Sequence, residues 1–224
     1  MAGIFGDNAT ARLVEKISEF NFDGIDAIMA SSPAYNKPTQ KGIYQHFMSM
    51  AEASSLPIII YNVPGRTSSN VTAETTLALA RDSKKFLGVK EASGDLMQVM
   101  EIIKYRPKDF LVLSGEDQLT LPIIACGGDG AISVIANAFP KPFSRLTNAA
   151  LEGDLGLAQR FNELLLDIHE WLYTEGNPTG IKAAVSILGH CQNFLRPPLT
   201  ALSDNAMKKL QAAVNLALEE EPFE

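Results

Sequence analysis

The stretch Phe86-Leu87-Gly88-Val89-Lys90 is a short apolar run that ends in a lysine. Four other runs share its richness in Ile, Val and Leu and its lack of polar alternation: residues 27–30, 57–61, 110–114 and 131–135. Such runs are typical of strands buried on both faces, as in a parallel sheet. Amphipathic stretches separate them, and the strand-to-strand spacing of roughly 20 to 30 residues is the size of one βα unit. The sequence therefore predicts an α/β fold built on a parallel sheet.

Each apolar run leads into a loop of polar or turn-forming residues. These loops lie at residues 31–36, 62–67, 91–94, 115–117 and 137–140. Because parallel strands point the same way, the loops should meet at one rim of the sheet. That rim is where such folds hold their chemistry.

Beyond Pro140 the pattern changes from strands to helices. Helical periodicity covers residues 141–151, 155–173, 179–190 and 203–219. We expect residues 1–150 to form an α/β core on the parallel sheet and residues 151–224 a helical region packed on it. A complete (β/α)8 barrel takes about 250 residues and eight strands, but the sequence offers five clear runs and a short candidate at Gly3-Ile4-Phe5. The fold is then either an open five-stranded sheet or a barrel that lacks its opening units.

The composition excludes several classes of partner. The 224 residues carry a formal net charge of −7, and no Lys or Arg cluster is longer than two. This argues against nucleic acid and against an anionic membrane surface. Cys126 and Cys191 lie far apart and the three histidines lack metal-ligand spacing, so we expect no disulfide, no metal and no cofactor. No signal-peptide pattern opens the chain, and we expect a cytoplasmic protein.

Lys90 is the sharpest chemical feature of the sequence, because it closes an apolar strand at the predicted rim. Burial disfavours the charged form of an amine. A neutral amine beside a ketone or aldehyde can form an imine, which acts as an electron sink. Taken alone, a rim lysine paired with Glu91 is the simpler interpretation.

Neighbouring residues favour the reactive interpretation. Tyr61 closes the preceding strand in the same way, and its phenol could carry the proton that imine formation must move. Arg66, five residues later on a turn, could hold a substrate carboxylate in bidentate fashion, although a surface salt bridge is an equal alternative. Tyr35, on a loop between two prolines, could pack across a subunit contact or line a site.

Two motifs carry a family resemblance: Tyr61-Asn62-Val63-Pro64-Gly65-Arg66-Thr67 and Gly88-Val89-Lys90-Glu91-Ala92-Ser93-Gly94. Together with Leu113-Ser114-Gly115-Glu116-Asp117 and the Asn177-Pro178 pair, they resemble the dihydrodipicolinate synthases of the pyruvate-dependent aldolase superfamily. The resemblance extends over essentially the whole chain. It implies a TIM (β/α)8 barrel with a C-terminal helical region.

The resemblance also implies a reaction and a set of roles. Lys90 would condense with pyruvate, and the resulting enamine would attack L-aspartate 4-semialdehyde, a step of lysine biosynthesis through diaminopimelate. Tyr61 would relay the proton and Arg66 would bind the semialdehyde carboxylate, while Gly115 and Ile132 would line the pyruvate pocket. Tyr35 matches a tyrosine that in the family reaches across a dimer interface, which implies a homo-oligomer, either a dimer or a tetramer.

One departure from the family pattern affects these expectations. The family begins with two further βα units and most of a third strand, so we expect a barrel lacking its first two to three strands. The Thr-Thr-Gly motif, whose hydroxyls hold the pyruvate carboxylate in the family, is absent from this sequence. We therefore expect impaired catalysis. Two alternatives stay open: a related sugar-acid or N-acetylneuraminate lyase, and a non-catalytic subunit.

Overall fold

Six parallel strands form the sheet in a computed structural model that describes residues 2–220. They are β1 (Ala2–Phe5), β2 (Ala27–Ser31), β3 (Ile58–Asn62), β4 (Phe86–Glu91), β5 (Leu111–Ser114) and β6 (Gly130–Ala131). Each strand pairs in parallel with the next, in the order β1-β2-β3-β4-β5-β6. The predicted α/β class with a parallel sheet is confirmed, and the short candidate at Gly3-Ile4-Phe5 is a strand. The described residues thus hold six strands, not five.

The last strand is shorter than predicted. The apolar run 131–135 was expected to continue as a strand, but β6 ends at Ala131 and Ile135–Asn137 forms a 3-10 turn. The backbone N–H groups of Val134 and Ile135 donate to the Asp117 carboxylate, at 2.9 and 2.7 Å to its Oδ2. A side-chain acceptor has replaced the sheet ladder for these donors, which is why an apolar sequence does not remain extended.

Ten helices accompany the sheet within residues 2–220. They are α1 (Thr10–Glu19), α2 (Gln40–Ala53), α3 (Pro64–Thr67), α4 (Ala73–Asp82), α5 (Leu96–Tyr105), α6 (Thr120–Ala125), α7 (Pro140–Glu152), α8 (Leu155–Tyr173), α9 (Thr179–Ile187) and α10 (Asp204–Glu220). Side-chain caps fix several starts: Thr39 accepts from the N–H of Gly42, and Asp95 accepts from those of Met97 and Gln98. None of these helices is long and apolar enough to cross a membrane.

One predicted helix ends early. The pattern predicted a helix over 179–190, but α9 stops at Ile187. Gly189 adopts a φ of +79°, a left-handed conformation that glycine reaches without steric cost. The N–H of Gly189 donates to the carbonyl oxygen of Ser186, and the N–H of His190 donates to that of Val185. These bonds satisfy carbonyls in the last turn of the helix.

The chain divides into two compact units. One contains the residues up to Glu116 together with Cys126–Ile132, and therefore all six strands. The other contains Asp117–Ala125 and the residues from Ser133 on. In this second unit α6, α7 and α8 pack around the small apolar cluster of Ile124, Ala149, Ala150 and Ala158. The predicted division at residue 150 stays a prediction.

Candidate active site

Lys90 and Tyr61 are direct neighbours at the carboxyl ends of two paired strands. The register of β3 and β4 places Tyr61 opposite Lys90. Only 7% of Lys90 is exposed, and its Nζ lies 4.4 Å from the centroid of the Tyr61 ring. The sequence predicted that both side chains would reach the same rim, and the structure brings them together.

Gly115 gives the Lys90 side chain the room it occupies. A Cβ built on Gly115 would lie 2.8 Å from Cγ and 2.9 Å from Cε of Lys90, and 2.9 Å from the Cβ of Ala92. These separations are shorter than real carbon contacts, so a larger residue would displace the lysine. The N–H of Gly115 donates to the carbonyl oxygen of Glu91 at 2.7 Å, which holds the backbone close. The glycine assigned by resemblance therefore lies against the lysine.

The environment of Tyr61 keeps its phenol protonated. Burial raises the pKa of Tyr61; the positive charge of Arg66 lowers it and the negative charge of Glu116 raises it. Arg66 lies on the short helix α3 and is exposed. A protonated phenol beside an amine can act as a general acid. The influence of Glu116 on the pKa of Tyr61 was not predicted from the sequence, because nothing in the sequence linked this loop carboxylate to Tyr61.

An apolar cluster lies beneath these polar groups. Ala27, Met29 and Ile59 form its buried part, and Tyr61 and Ile132 pack against it. The N–H of Ile132 donates to the carbonyl oxygen of Ser114 at 2.9 Å, directly beyond β6. Ile132 thus shares an apolar surface with Tyr61, whereas sequence reasoning reached it only by resemblance.

Tyr35 lies apart from this group. It is 89% exposed and has a φ of +73°, an uncommon conformation for a non-glycine residue. Its N–H donates to the carbonyl oxygen of Thr67 at 3.2 Å, so its loop is tied to the end of the helix that carries Arg66. The predicted role of Tyr35 at a subunit contact stays a prediction.

The opposite side of the same strand pair carries a buried carboxylate that sequence reasoning did not assign. Glu91 is 1% exposed and accepts hydrogen bonds from Asn62, Ser93 and Gln98. The simpler interpretation of the sequence had paired Glu91 with Lys90. Successive strand residues face opposite sides of a sheet, so the two side chains point away from each other.

The arrangement is suited to covalent chemistry through an amine. A buried lysine faces a protonated phenol, and a guanidinium lies close enough to affect that phenol. Among residues 2–220 no group of three or more His, Cys, Asp or Glu could hold a metal ion. The site therefore offers an amine nucleophile and a general acid.

Comparisons with known proteins agree with this picture. Residues 2–217 match the model of the dihydrodipicolinate synthetase family. The chain is 46% identical over 208 residues to the 4-hydroxy-tetrahydrodipicolinate synthase of Phocaeicola vulgatus, covering 93% of this chain and 70% of the relative.

Solved structures give the same result. A dihydrodipicolinate synthase from Aquifex aeolicus superposes with a TM-score of 0.91 at 36% identity, over 99% of this chain and 74% of the other. A monomeric dihydrodipicolinate synthase variant superposes with a TM-score of 0.92 at 33% identity, over 100% of this chain and 74% of the other. The six parallel strands are part of the barrel fold of these enzymes. The chain therefore belongs to the dihydrodipicolinate synthetase family.

Proposed function

We propose that this chain is a lyase of the 4-hydroxy-tetrahydrodipicolinate synthase type, which condenses pyruvate with L-aspartate 4-semialdehyde in lysine biosynthesis in the cytoplasm. The observation that carries the proposal is the burial of the Lys90 amine against the Tyr61 ring, at 4.4 Å, in a family whose curated relatives bear this name. Lys90 is the residue that forms the Schiff base.

The chemistry begins with attack of the neutral Lys90 amine on the ketone carbon of pyruvate. The carbinolamine then loses its hydroxyl as water, and Tyr61 supplies the proton that this departure requires. The resulting iminium withdraws electrons, so the pyruvate methyl group gives a proton back to the deprotonated Tyr61 and an enamine forms. The enamine carbon attacks the aldehyde carbon of the second substrate while Tyr61 gives its proton to the aldehyde oxygen. Addition of water to the new imine then releases the keto product, restores the Lys90 amine and returns a proton to Tyr61.

The remaining residues bind and orient the substrates. Arg66 is exposed on α3, where its guanidinium can donate two hydrogen bonds to the semialdehyde carboxylate. Gly115 lies against the Lys90 side chain and Ile132 packs with Tyr61 on one apolar cluster, so both are placed to contact a small keto acid bound to Lys90. Tyr35 projects 89% exposed, as a side chain that completes a second subunit's site would in a homo-oligomer.

The proposal includes a limit on rate for the 224-residue chain on its own. Its sequence contains no Thr-Thr-Gly tripeptide, whose hydroxyls would hold the pyruvate carboxylate. Loss of such positioning groups costs about 10² to 10⁴ in rate. We expect imine formation to survive and turnover to be low.

The test is a coupled assay of condensation, run beside trapping of the imine with borohydride. The proposal predicts a pyruvate adduct together with slow condensation of L-aspartate 4-semialdehyde. Cleavage of N-acetylneuraminate or keto-deoxy sugar acids at a higher rate would instead indicate a sugar-acid lyase. Absence of any adduct would indicate a non-catalytic subunit. Turnover equal to that of the longer relatives would contradict the proposed impairment.

A further inference from the structure

The buried carboxylate of Glu91 is a polar feature that the proposed chemistry does not use. In the paired strands β3 and β4, Asn62 lies opposite Glu91, one position beyond the Tyr61–Lys90 pair. Because side chains alternate along a strand, the two pairs face opposite sides of the sheet. Asn62 is 0% exposed and Glu91 is 1% exposed. A polar pair is therefore buried directly behind the reactive pair.

Each hydrogen bond to the Glu91 carboxylate comes from an N–H donor. The Asn62 amide donates at 3.1 Å to both oxygens, the Ser93 backbone N–H donates to Oε1 at 2.8 Å, and the Gln98 amide donates to Oε2 at 3.0 Å. Because these three donors share the two side-chain oxygens of Glu91, both oxygens must act as acceptors. An ionised carboxylate provides this, whereas a carboxamide would turn its own N–H groups towards at least one donor.

The same network extends to the surrounding loops. Asn62 Oδ1 accepts from the N–H of Val71 at 2.9 Å, and Asn62 Nδ2 donates to Asn70 Oδ1 at 2.8 Å. Asn70 in turn donates to Gln98 Oε1 at 2.8 Å. The segment before α4 and the first turn of α5 are thereby joined to the ends of β3 and β4. A fully satisfied buried polar network makes its surroundings rigid.

The backbone beside Glu91 connects this network to the neighbouring strands. The carbonyl oxygen of Glu91 accepts from Gly115 at 2.7 Å, and that of Asn62 accepts from Ala92 at 2.8 Å. Gly115 is also the residue that leaves room for Lys90. The orientation of residue 91 thus fixes the peptide that carries Lys90 and the glycine that borders its side chain.

We propose that Glu91 is a positioning residue, which holds Lys90 in line with Tyr61 from the opposite face of the sheet. This inference rests on the proposed function, since it concerns the geometry of imine formation. A buried carboxylate bears a desolvation penalty that an apolar residue would not, so its presence is explained by the geometry that it imposes. A displacement of about 1 Å in a reacting group can cost about 10²-fold in rate.

The test is the rate of pyruvate adduct formation on the 224-residue chain, quenched with borohydride at timed intervals over a range of pyruvate concentrations. In Glu91→Gln the rate at saturating pyruvate should fall about tenfold or more, while the half-saturating concentration changes little. The double variant Glu91→Gln/Gln98→Glu restores one carboxylate to the network and should recover part of the rate. Glu101→Gln, the same charge change at an exposed position on α5, is the matched control.

Each outcome separates this inference from the function on which it rests. No adduct on the unmodified chain would overturn the proposed function. An adduct on the unmodified chain with an equal rate in Glu91→Gln would overturn the positioning role alone, as would an equal loss in Glu101→Gln. If Glu91→Gln does not fold, the variant Gln98→Met provides the test, because it removes one donor to the Glu91 carboxylate. A rate of adduct formation lowered about threefold would support the positioning role. An unchanged rate would refute it.

Discussion

Strand β4 carries a lysine at each end, and the two lysines have different partners. Lys85, just before the strand, donates through Nζ to the carbonyl oxygens of Ser54 and Ser55 at 2.9 and 3.1 Å. Lys90, near the other end, is packed beside the ring of Tyr61 and fills the room left by Gly115. The two carbonyl oxygens hold the Lys85 amine in place, whereas Lys90 lies beside a phenol that can transfer a proton. Position on an apolar strand therefore does not identify a reactive lysine; its partners do.

The largest expected effect comes from replacing each of the two lysines by methionine in a separate variant. Lys90→Met should abolish the pyruvate adduct, because it removes the amine that forms the imine. Lys85→Met should keep the adduct rate and lose about 1 kcal/mol of stability with its hydrogen bonds to the two serine carbonyls. Borohydride trapping and chemical denaturation measure the two quantities. If Lys90→Met still formed the adduct, Lys90 would not be the lysine that forms the imine, and it would not differ from Lys85 in this respect.

The next effect tests the phenol at the reactive end. Tyr61→Phe keeps the ring that packs against Ala27, Met29 and Ile59, so the fold should persist. Loss of the general acid should slow adduct formation by about 10² to 10⁴. Timed trapping at neutral pH measures this. A rate within twofold of the unmodified chain, with both proteins folded by circular dichroism, would show that another group supplies the proton.

Gly115→Ala should have a smaller effect on the same end. The added Cβ would lie 2.8 Å from Cγ of Lys90, so the lysine must move. We expect the trapping rate to fall about tenfold and the stability to fall by about 1 to 3 kcal/mol. The matched control is Gly65→Ala, at a glycine where a Cβ would meet nothing within 4 Å. Equal rates in the two alanine variants would show that Lys90 does not depend on this space.

The smallest effect concerns pH and lies away from β4. Burial lowers the pKa of His46 below its usual 6.5, and the charge of Asp7 only partly offsets this. The His46 side chain therefore binds a proton more readily in the unfolded chain than in the folded one. The free energy of unfolding has its full value above pH 6.5 and declines as the pH falls towards the pKa of His46 in the folded protein. Denaturation curves between pH 5 and 8 should show this decline, and His46→Gln should reduce it. A rise in the free energy of unfolding as the pH falls would contradict a lowered pKa of His46.

The sequence predicted the proximity of Lys90 and Tyr61 for a physical reason. Lys90 and Tyr61 both close apolar strands, and parallel strands bring such positions to one rim, so proximity followed from pattern alone. Gly115 and Ile132 were reached only by resemblance, because their roles depend on spacing between atoms that a sequence does not contain. The network around Glu91 was missed because Asn62 lies 29 residues from Glu91, and because Gln98, seven residues away, lies on a different element, the helix α5.

The same reasoning explains where the predicted elements were wrong. The run 131–135 has strand composition, but Asp117 captures the N–H groups of Val134 and Ile135. A hydrogen bond to an acceptor 17 or 18 positions away leaves no periodic signal in the run itself. Similarly, the end of α9 depended on the left-handed conformation of Gly189, which a glycine permits but does not require.

The most direct measurement is the location of the pyruvate adduct. The chain is incubated with pyruvate, reduced with borohydride, digested, and each lysine-containing peptide is examined by mass spectrometry. The account predicts one reduced adduct, on the peptide that carries Lys90, and none on the peptide that carries Lys85. An adduct on Lys85, an even spread over several lysines or no adduct at all would contradict it.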